Sequence, residues 1–300
     1  MPDLKRIVLR SGPCLDSVPL LGLYLKALRS SVFRWPAILS RLKFSPDILA
    51  NIRASALPPE GKSRLFSEAM TLFRSGPAYK TTAAGRSRLT DGEILKLLRP
   101  GLTVLETGVS DGVSALGLLR GAGGARVLLS DRQAGYTRSG GLVKKFYDAE
   151  EGLLSLKLPG FYFCTGVKAP APPAGADSIS LLNPLLESAF PGLKLAEFDL
   201  LRGAAPETAD VIKCANVLNK VYFTTEEIGL ALANLLASLR DGGWLFISQS
   251  NPRYEDGEAY IALRRDGAGF VLAGEAHGHE LLPDLRAGLF SGLLRPGAAA

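Results

Sequence analysis

Val104-Leu105-Glu106-Thr107-Gly108-Val109-Ser110-Asp111-Gly112 sets a short apolar run against a turn punctuated by glycine, and Val113 to Arg120 then resumes with helical spacing. Strand, tight turn and helix in that order open a βαβ unit. Upstream, Thr90-Asp91-Gly92-Glu93 caps a helix that runs to Leu98 and ends at Pro100-Gly101. Downstream, Ala125 to Ser130 reads as a second strand, Lys194 to Leu200 as a third, Asp210 to Ala215 as a fourth and Trp244 to Gln249 as a fifth. A helix is expected from Thr225 to Leu239, opened by Thr225-Glu226-Glu227 and closed by Asp241-Gly242-Gly243. Tyr260 to Arg264 and Gly269 to Gly274 flank Asp266-Gly267 as a terminal hairpin would. The expected fold class is therefore α/β, a doubly wound, mostly parallel seven-stranded sheet with an antiparallel edge.

The chain has 300 residues, 47% of them hydrophobic and 21% charged, which excludes disorder as its overall state. Residues 1–89 read as short helices joined by Pro- and Gly-containing turns, an N-terminal extension or substrate lid. Ser45-Pro46-Asp47 starts one helix, to about Ser55, and Lys62 to Phe73 forms another. Residues 90–295 form the main domain, and 296–300 a tail. The interval after the second strand is too long for an ordinary connection, so 132–178 is expected to be an insertion with a small hairpin, followed by a crossover helix over 180–190. Residues 1–100 hold 17 Lys+Arg against 7 Asp+Glu, so the positive charge belongs to the N-terminal part. It either steers an anionic partner or forms a solvated face. Leu20 to Arg41, rich in Leu and aromatics between cations, suits peripheral membrane contact, a lid or packing on the main domain. No uninterrupted run of 18 apolar residues and no signal-like segment is found, and a cytoplasmic location is expected. Cys14, Cys164 and Cys214 form no Cys-x-x-Cys pattern, and His277 and His279 are the only histidines, so neither a disulfide framework nor a metal site is expected.

Gly108 and Gly112 permit close approach of a ligand, Glu106 at the strand end can accept from a cationic or hydroxylated group, and Ser110 adds a donor. The turn lacks the Gly-Lys-Ser/Thr ending of a phosphate-cradling loop, and the charge of Glu106 disfavours a pyrophosphate there. Asp131, about 20 residues beyond the turn, stands where a carboxylate accepts from ribose hydroxyls. Asp199 closes the third strand at a height suited to an adenine amine, Leu200 can line the ring, and Asn216 after the fourth strand can meet an amino-acid end. The bland alternative for Asp131 and Asp199 is a helix cap or a solvated strand end, and for Asn216 a turn.

This combination resembles the class I S-adenosylmethionine-dependent methyltransferases over roughly residues 90–275. Val104 to Gly112 looks like their first motif, Asp131 like their ribose-binding acid, Asp199-Leu200 like the adenine contact, and Leu239 to Leu245 like the turn that launches their fifth strand. Ile212-Lys213-Cys214-Ala215-Asn216-Val217-Leu218, followed by Val221-Tyr222-Phe223, is similar to a segment of the chemotaxis-receptor glutamate methyltransferases. There, Ala215 stands in place of the usual arginine, and Asn219-Lys220 lengthens the connection. The resemblance implies S-adenosyl-L-methionine as cofactor, leaving as S-adenosyl-L-homocysteine, with methyl transfer to a small-molecule, natural-product or lipid-like acceptor. Protein carboxyl methylation and a non-catalytic regulator that binds the same cofactor are the alternatives. A nucleic-acid acceptor lacks its Asn/Asp-Pro-Pro-aromatic signature. Tyr222 and Asp111 are the candidates for positioning or deprotonating an acceptor, with packing beside Phe223 the alternative for Tyr222.

Overall fold

A computed structural model describes residues 11–29, 42–75, 78–79, 83–148, 153–168, 170–255 and 257–294. In chain order it carries β1 (Gly12–Pro13), α1 (Val18–Arg29), α2 (Asp47–Ala54), α3 (Pro59–Met70), β2 (Arg74–Ser75) and β3 (Ala78–Tyr79). Next come α4 (Arg88–Leu97), β4 (Thr103–Thr107), α5 (Leu116–Gly121) and β5 (Arg126–Asp131). An excursion follows through β6 (Gly135–Ser139), β7 (Lys144–Asp148), β8 (Leu153–Leu158), β9 (Phe161–Lys168), β10 (Asp177–Ser180) and α6 (Pro184–Ala189). The chain finishes with β11 (Leu195–Glu197), β12 (Ala209–Ala215), α7 (Thr225–Ser238), β13 (Leu239–Ser250), β14 (Glu258–Asp266), β15 (Gly269–Ala276) and α8 (Leu282–Arg286). Two compact units result, Thr82–Arg132 with Gly192–Ala300 and Met1–Thr81 with Gln133–Pro191.

The first of these units is the doubly wound α/β fold. Its seven strands run β11-β5-β4-β12-β13-β14-β15, the first five parallel, with β14 antiparallel to β13 and β15 antiparallel to β14. From β4 the chain moves outward to β5 and β11, then returns to the other side of β4 as β12. That reversal makes a topological switch point, outside whose carboxyl edge ligands of such sheets bind. Both faces are covered. The capping box between Thr224 and Glu227 starts α7, which buries Ile228, Ala231, Leu232, Leu235 and Leu236 at helical spacing against Ile212, Cys214, Leu245 and Ile247. On the opposite face Ile94 of α4 and Leu118 of α5 meet Val104, Val211, Phe246 and Ala262. All five residues of β4 are accordingly buried.

The fifth parallel strand starts earlier than its apolar run suggests. Its pairing with β12 jumps from Ala209–Leu239 to Val211–Trp244, and Gly242, at φ 75°, lies in the excess residues. A Cβ on Gly243 would come within 2.8 Å of the Arg240 and Asp210 carbonyl oxygens, so this bulge requires glycine. The third strand is shorter than expected, ending at Glu197, because the backbone turns at Asp199, whose Oδ1 accepts from Leu201 N at 3.0 Å.

The N-terminal extension and the insertion, expected as separate appendages at 1–89 and 132–178, fold together. A six-stranded antiparallel sheet runs β1-β9-β8-β7-β6-β10, with β1 supplied by the N-terminal segment. The expected small hairpin is thus a full sheet. The expected crossover helix is also corrected: α6 belongs to this unit, where Asn183 caps it at Leu185 N (3.0 Å) and donates to Ser63 O (3.3 Å) and Ser67 Oγ (3.0 Å) of α3. Of the stretch Leu20 to Arg41, α1 accounts for the part up to Arg29, and residues 30–41 lie outside the described residues, as do 80–82 and the tail 296–300. Among the described residues no helix is long and apolar enough to cross a membrane.

A charged hub ties α2 to this antiparallel sheet. Asp47, 2% exposed, accepts from Arg138 Nη1 (2.8 Å), Lys144 Nζ (2.7 Å) and Lys157 Nζ (2.8 Å). Burial alone would raise its carboxyl, but the hydrogen bonds from Lys144, Lys157 and Arg138 overcome that and bring its pKa down to about 2.

In the parallel-sheet unit His279 is fully buried, its Nδ1 accepting from Leu281 N at 3.2 Å while Nε2 has no partner among the described residues. Burial pushes its pKa down from 6.5 to about 4. A neutral imidazole in the folded state contributes nothing against the unfolded chain above pH 6.5, whereas below it the unfolded chain takes up a proton first. Stability of this unit is expected to fall as pH drops from 6.5 towards 4, by about 3 kcal/mol at most. Urea melts of wild type and His279→Gln between pH 4 and 7 check this. Equal slopes in the two proteins would dismiss His279 as the titrating group.

Candidate functional site

The turn that leaves β4 is stitched to the end of β5. Gly108 N and Val109 N both donate to Ser130 O, at 2.8 and 3.2 Å. Gly108, Ser110 and Gly112 have φ of 72°, 60° and 82°, a conformation that glycine adopts freely and serine does not. The strain at Ser110 is offset by its backbone N–H, which donates to Asp131 Oδ2 at 2.7 Å. Asp131 is 7% exposed and so orients the turn. Packing gives a further reason for glycine at position 108. A Cβ there would lie 2.1 Å from Val217 Cγ2, so the room beside this glycine is filled by the chain itself. Asp111, expected on the acceptor side, is fully buried and its Oδ1 accepts from Val113 N at 3.0 Å. Its place is at the start of the 3-10 turn Val113–Ala115 that leads into α5.

Beneath the turn lies a charge cluster. Lys213 of β12 is in register with Glu106 of β4 and has no exposed surface. Its Nζ is 2.6 Å from Asp91 Oδ1 of α4 and 3.0 Å from Glu106 Oε1. Burial pulls the ammonium's pKa down, but Glu106 and Asp91 more than compensate, raise it and hold Lys213 charged. Burial raises the carboxyls of Glu106 and Asp91, with Lys213 pulling both back. Glu106 is 1% exposed, Ser114 Oγ donates to its Oε1 at 3.4 Å, and its Oε2 has no partner among the described residues. The cluster sets one ammonium against two carboxyl groups. On the other face of β12, burial pushes the Cys214 thiol up to about 12, which keeps it from acting as a nucleophile at neutral pH.

The remaining expected residues spread along the same carboxyl edge. Asp199 follows β11 and pairs with Arg132 Nε (3.5 Å) and Arg202 Nε (3.2 Å). Leu200 is 6% exposed and packed in the apolar core under α7, not free to line a ring. Asn216, at φ 58°, clamps the ends of β12 and β13: its N–H donates to Ser248 O (2.7 Å) and its Oδ1 accepts from Ser250 N (2.7 Å) and Ser250 Oγ (3.0 Å). Arg86 Nε donates to the same Ser250 Oγ at 3.1 Å. Tyr222, 39% exposed, lies within electrostatic range of Arg86. His277 does not share a strand face with His279. Its ring stacks on Tyr254, with centroids 3.9 Å apart.

Sequence reasoning missed Lys213, Asp91, Arg86, Ser250 and Val217. Only Lys213 carried a signal, a lysine at the centre of a strand whose neighbours Val211, Ile212 and Cys214 mark it as buried on both faces.

No protein-family model and no curated protein matches this chain. Among solved structures it is similar to the pyocyanin biosynthetic protein PhzM, at 15% identity over 67% of this chain and 42% of that one, TM-score 0.35. It is similar to the S-adenosylmethionine-dependent methyltransferase SibL in its apo form, at 16% identity over 77% and 50%, TM-score 0.34. It is also similar to the N-methyltransferase NodS from Bradyrhizobium japonicum WM9 in complex with S-adenosyl-L-homocysteine, at 14% identity over 64% and 74%, TM-score 0.35. The likeness is one of fold. The chain spans half or less of the length of the first two.

Proposed function

We propose that this chain binds S-adenosyl-L-methionine at the switch-point edge and directs its methyl group to a small-molecule acceptor. The observation that carries this reading is the glycine turn locked to Asp131 at the carboxyl ends of β4 and β5, where doubly wound sheets take nucleoside ligands. The residues fit such a ligand. Two buried oxygens there, Glu106 Oε2 and Ser110 Oγ, have no partner among the described residues, and an orphaned buried polar group costs about 1–3 kcal/mol. A ligand with an ammonium and hydroxyls supplies the missing partners.

When bound, the sulfonium provides an electrophilic methyl and leaves as a thioether. The protein's task is to hold an acceptor in line and keep water out. In this reading Asp131 accepts from the ribose hydroxyls, Asp199 stands at the adenine end, and Tyr222 beside Arg86 faces the acceptor. Asp111 and Leu200 serve structure. Asn216 and Val217, which carried the resemblance to receptor-glutamate methyltransferases, are used in a strand clamp and in filling the space beside Gly108.

The test is isothermal calorimetry of the full chain with S-adenosylmethionine and, separately, S-adenosylhomocysteine. Saturable binding is expected, weakened about 5- to 150-fold in Asp131→Ala, the equivalent of about 1–3 kcal/mol. An unchanged Kd in a folded Asp131→Ala would remove the ribose role. Absence of binding to wild type would overturn methyl transfer altogether. A labelled-methyl screen then separates small-molecule acceptors from protein carboxylates, and binding without transfer to either class identifies a regulator.

A further inference from the structure

We propose that Lys213 is a positioning residue, holding the Glu106 carboxylate in place to accept from the cationic end of the ligand. This rests on the reading of the edge as an S-adenosylmethionine site. A lysine at this point of β12 is costly as mere structure. Desolvating each ion costs several kcal/mol, and apolar residues of similar volume often serve a core as well or better. Val211, Ile212 and Cys214 around it show that the strand is otherwise packed in that way.

The geometry shows what the ammonium does. It is shared between Asp91 Oδ1 at 2.6 Å and Glu106 Oε1 at 3.0 Å, so it anchors one oxygen of Glu106 to helix α4. The other oxygen, Oε2, remains buried and unpartnered among the described residues. A purely structural ion pair would be complete with one carboxylate. Here two carboxyl groups face one ammonium at the strand end from which the glycine turn departs, so the second carboxyl is left for another cation. Ser114 Oγ, at 3.4 Å from Oε1, adds a hydroxyl but no charge. The charged groups facing Glu106 are Lys213 from β12 and Asp91 from α4, and the Cys214 thiol contributes from the far side of β12. The α-ammonium of the cofactor's amino-acid end has the charge and the donors to complete Oε2. Glu106 is 1% exposed, so bulk water does not satisfy Oε2.

The test compares two probes that differ in the amino-acid end alone. S-adenosylhomocysteine carries the ammonium, and 5′-methylthioadenosine keeps the nucleoside and thioether without it. In Lys213→Met the two neighbouring carboxyl groups lose their cation, which raises the buried Glu106 carboxyl further and favours its protonated form as pH falls. S-adenosylhomocysteine affinity is expected to fall at least tenfold at pH 6 and to recover towards pH 8, while wild type varies less than twofold. Binding of 5′-methylthioadenosine is expected to stay within twofold throughout. Glu106→Gln should reproduce the selective loss without the pH dependence, and it keeps the question open to test if Lys213→Met does not fold. Equal losses for both probes, or a pH-independent loss in Lys213→Met, would make Lys213 structural only and overturn the inference. So would unchanged S-adenosylhomocysteine binding in Glu106→Gln. If wild type binds neither probe, the methyl-transfer reading itself has failed.

Discussion

Gly108→Ala is expected to destabilise the parallel-sheet unit by about 2–5 kcal/mol, which places it among the most damaging single-methyl additions a chain can suffer. Two independent costs combine. A non-glycine residue at φ 72° costs about 1–2 kcal/mol, and forcing a methyl into a filled space costs about 1–3 kcal/mol. The obstructing atom is Val217 Cγ2, 2.1 Å from the new Cβ, on a β-branched side chain with little freedom to turn aside. Trp244 lies in this unit, so its fluorescence can follow the urea transition. The double variant Gly108→Ala with Val217→Ala separates the two costs, because it relieves the clash and leaves the backbone strain. A double variant no more stable than Gly108→Ala would rule out Val217 as the obstacle.

Asp47→Ala is expected to loosen the antiparallel-sheet unit by about 2–3 kcal/mol. Removing one partner of a buried ion pair costs about 3–5 kcal/mol, but here the stranded cations can recover part of that. Arg138, Lys144 and Lys157 keep 26%, 34% and 19% of their side-chain surface exposed, and Asp177 and Asp16 remain as partners of Arg138 and Lys157. The pH dependence has a definite sign. With a folded pKa of about 2 against 3.8 unfolded, Asp47 stabilises the unit above about pH 4 and loses that contribution as pH falls towards 2. Hydrogen exchange read on peptides from β6 to β9 at pH 7 should show faster opening in the variant, and acid melts should show wild type converging on the variant below pH 3. Parallel acid curves for the two proteins would exclude Asp47 as the source of the acid sensitivity.

The strands β4, β5 and β12, the hairpin β14–β15 and helix α7 were legible in the sequence because their signals are local. An apolar run of four to six residues, Asp266-Gly267 between two such runs, and Thr225-Glu226-Glu227 at a helix start each act over a few positions. The glycine turn and Asp131 were legible for the same reason, since 21 residues of a βα unit bring Ser110 N to Asp131 Oδ2. The insertion was visible as an excess of chain, but its sheet was not. The strand β1 that completes one edge comes from Gly12–Pro13, paired with Phe161 and Tyr162 far along the chain.

Within the site the division follows the same physics. Residue type and spacing determined that a carboxylate, small residues and a second carboxylate stand at successive strand ends, because backbone conformation and capping are settled between near neighbours. Tertiary structure alone decided that Leu200 belongs to the core, that Val217 occupies the space beside Gly108, and that Lys213 meets Asp91 across 122 residues of chain. Those outcomes depend on which groups lose water together when distant segments pack. A buried charge takes its partner from the far side of the fold, where no local pattern in the sequence can name it.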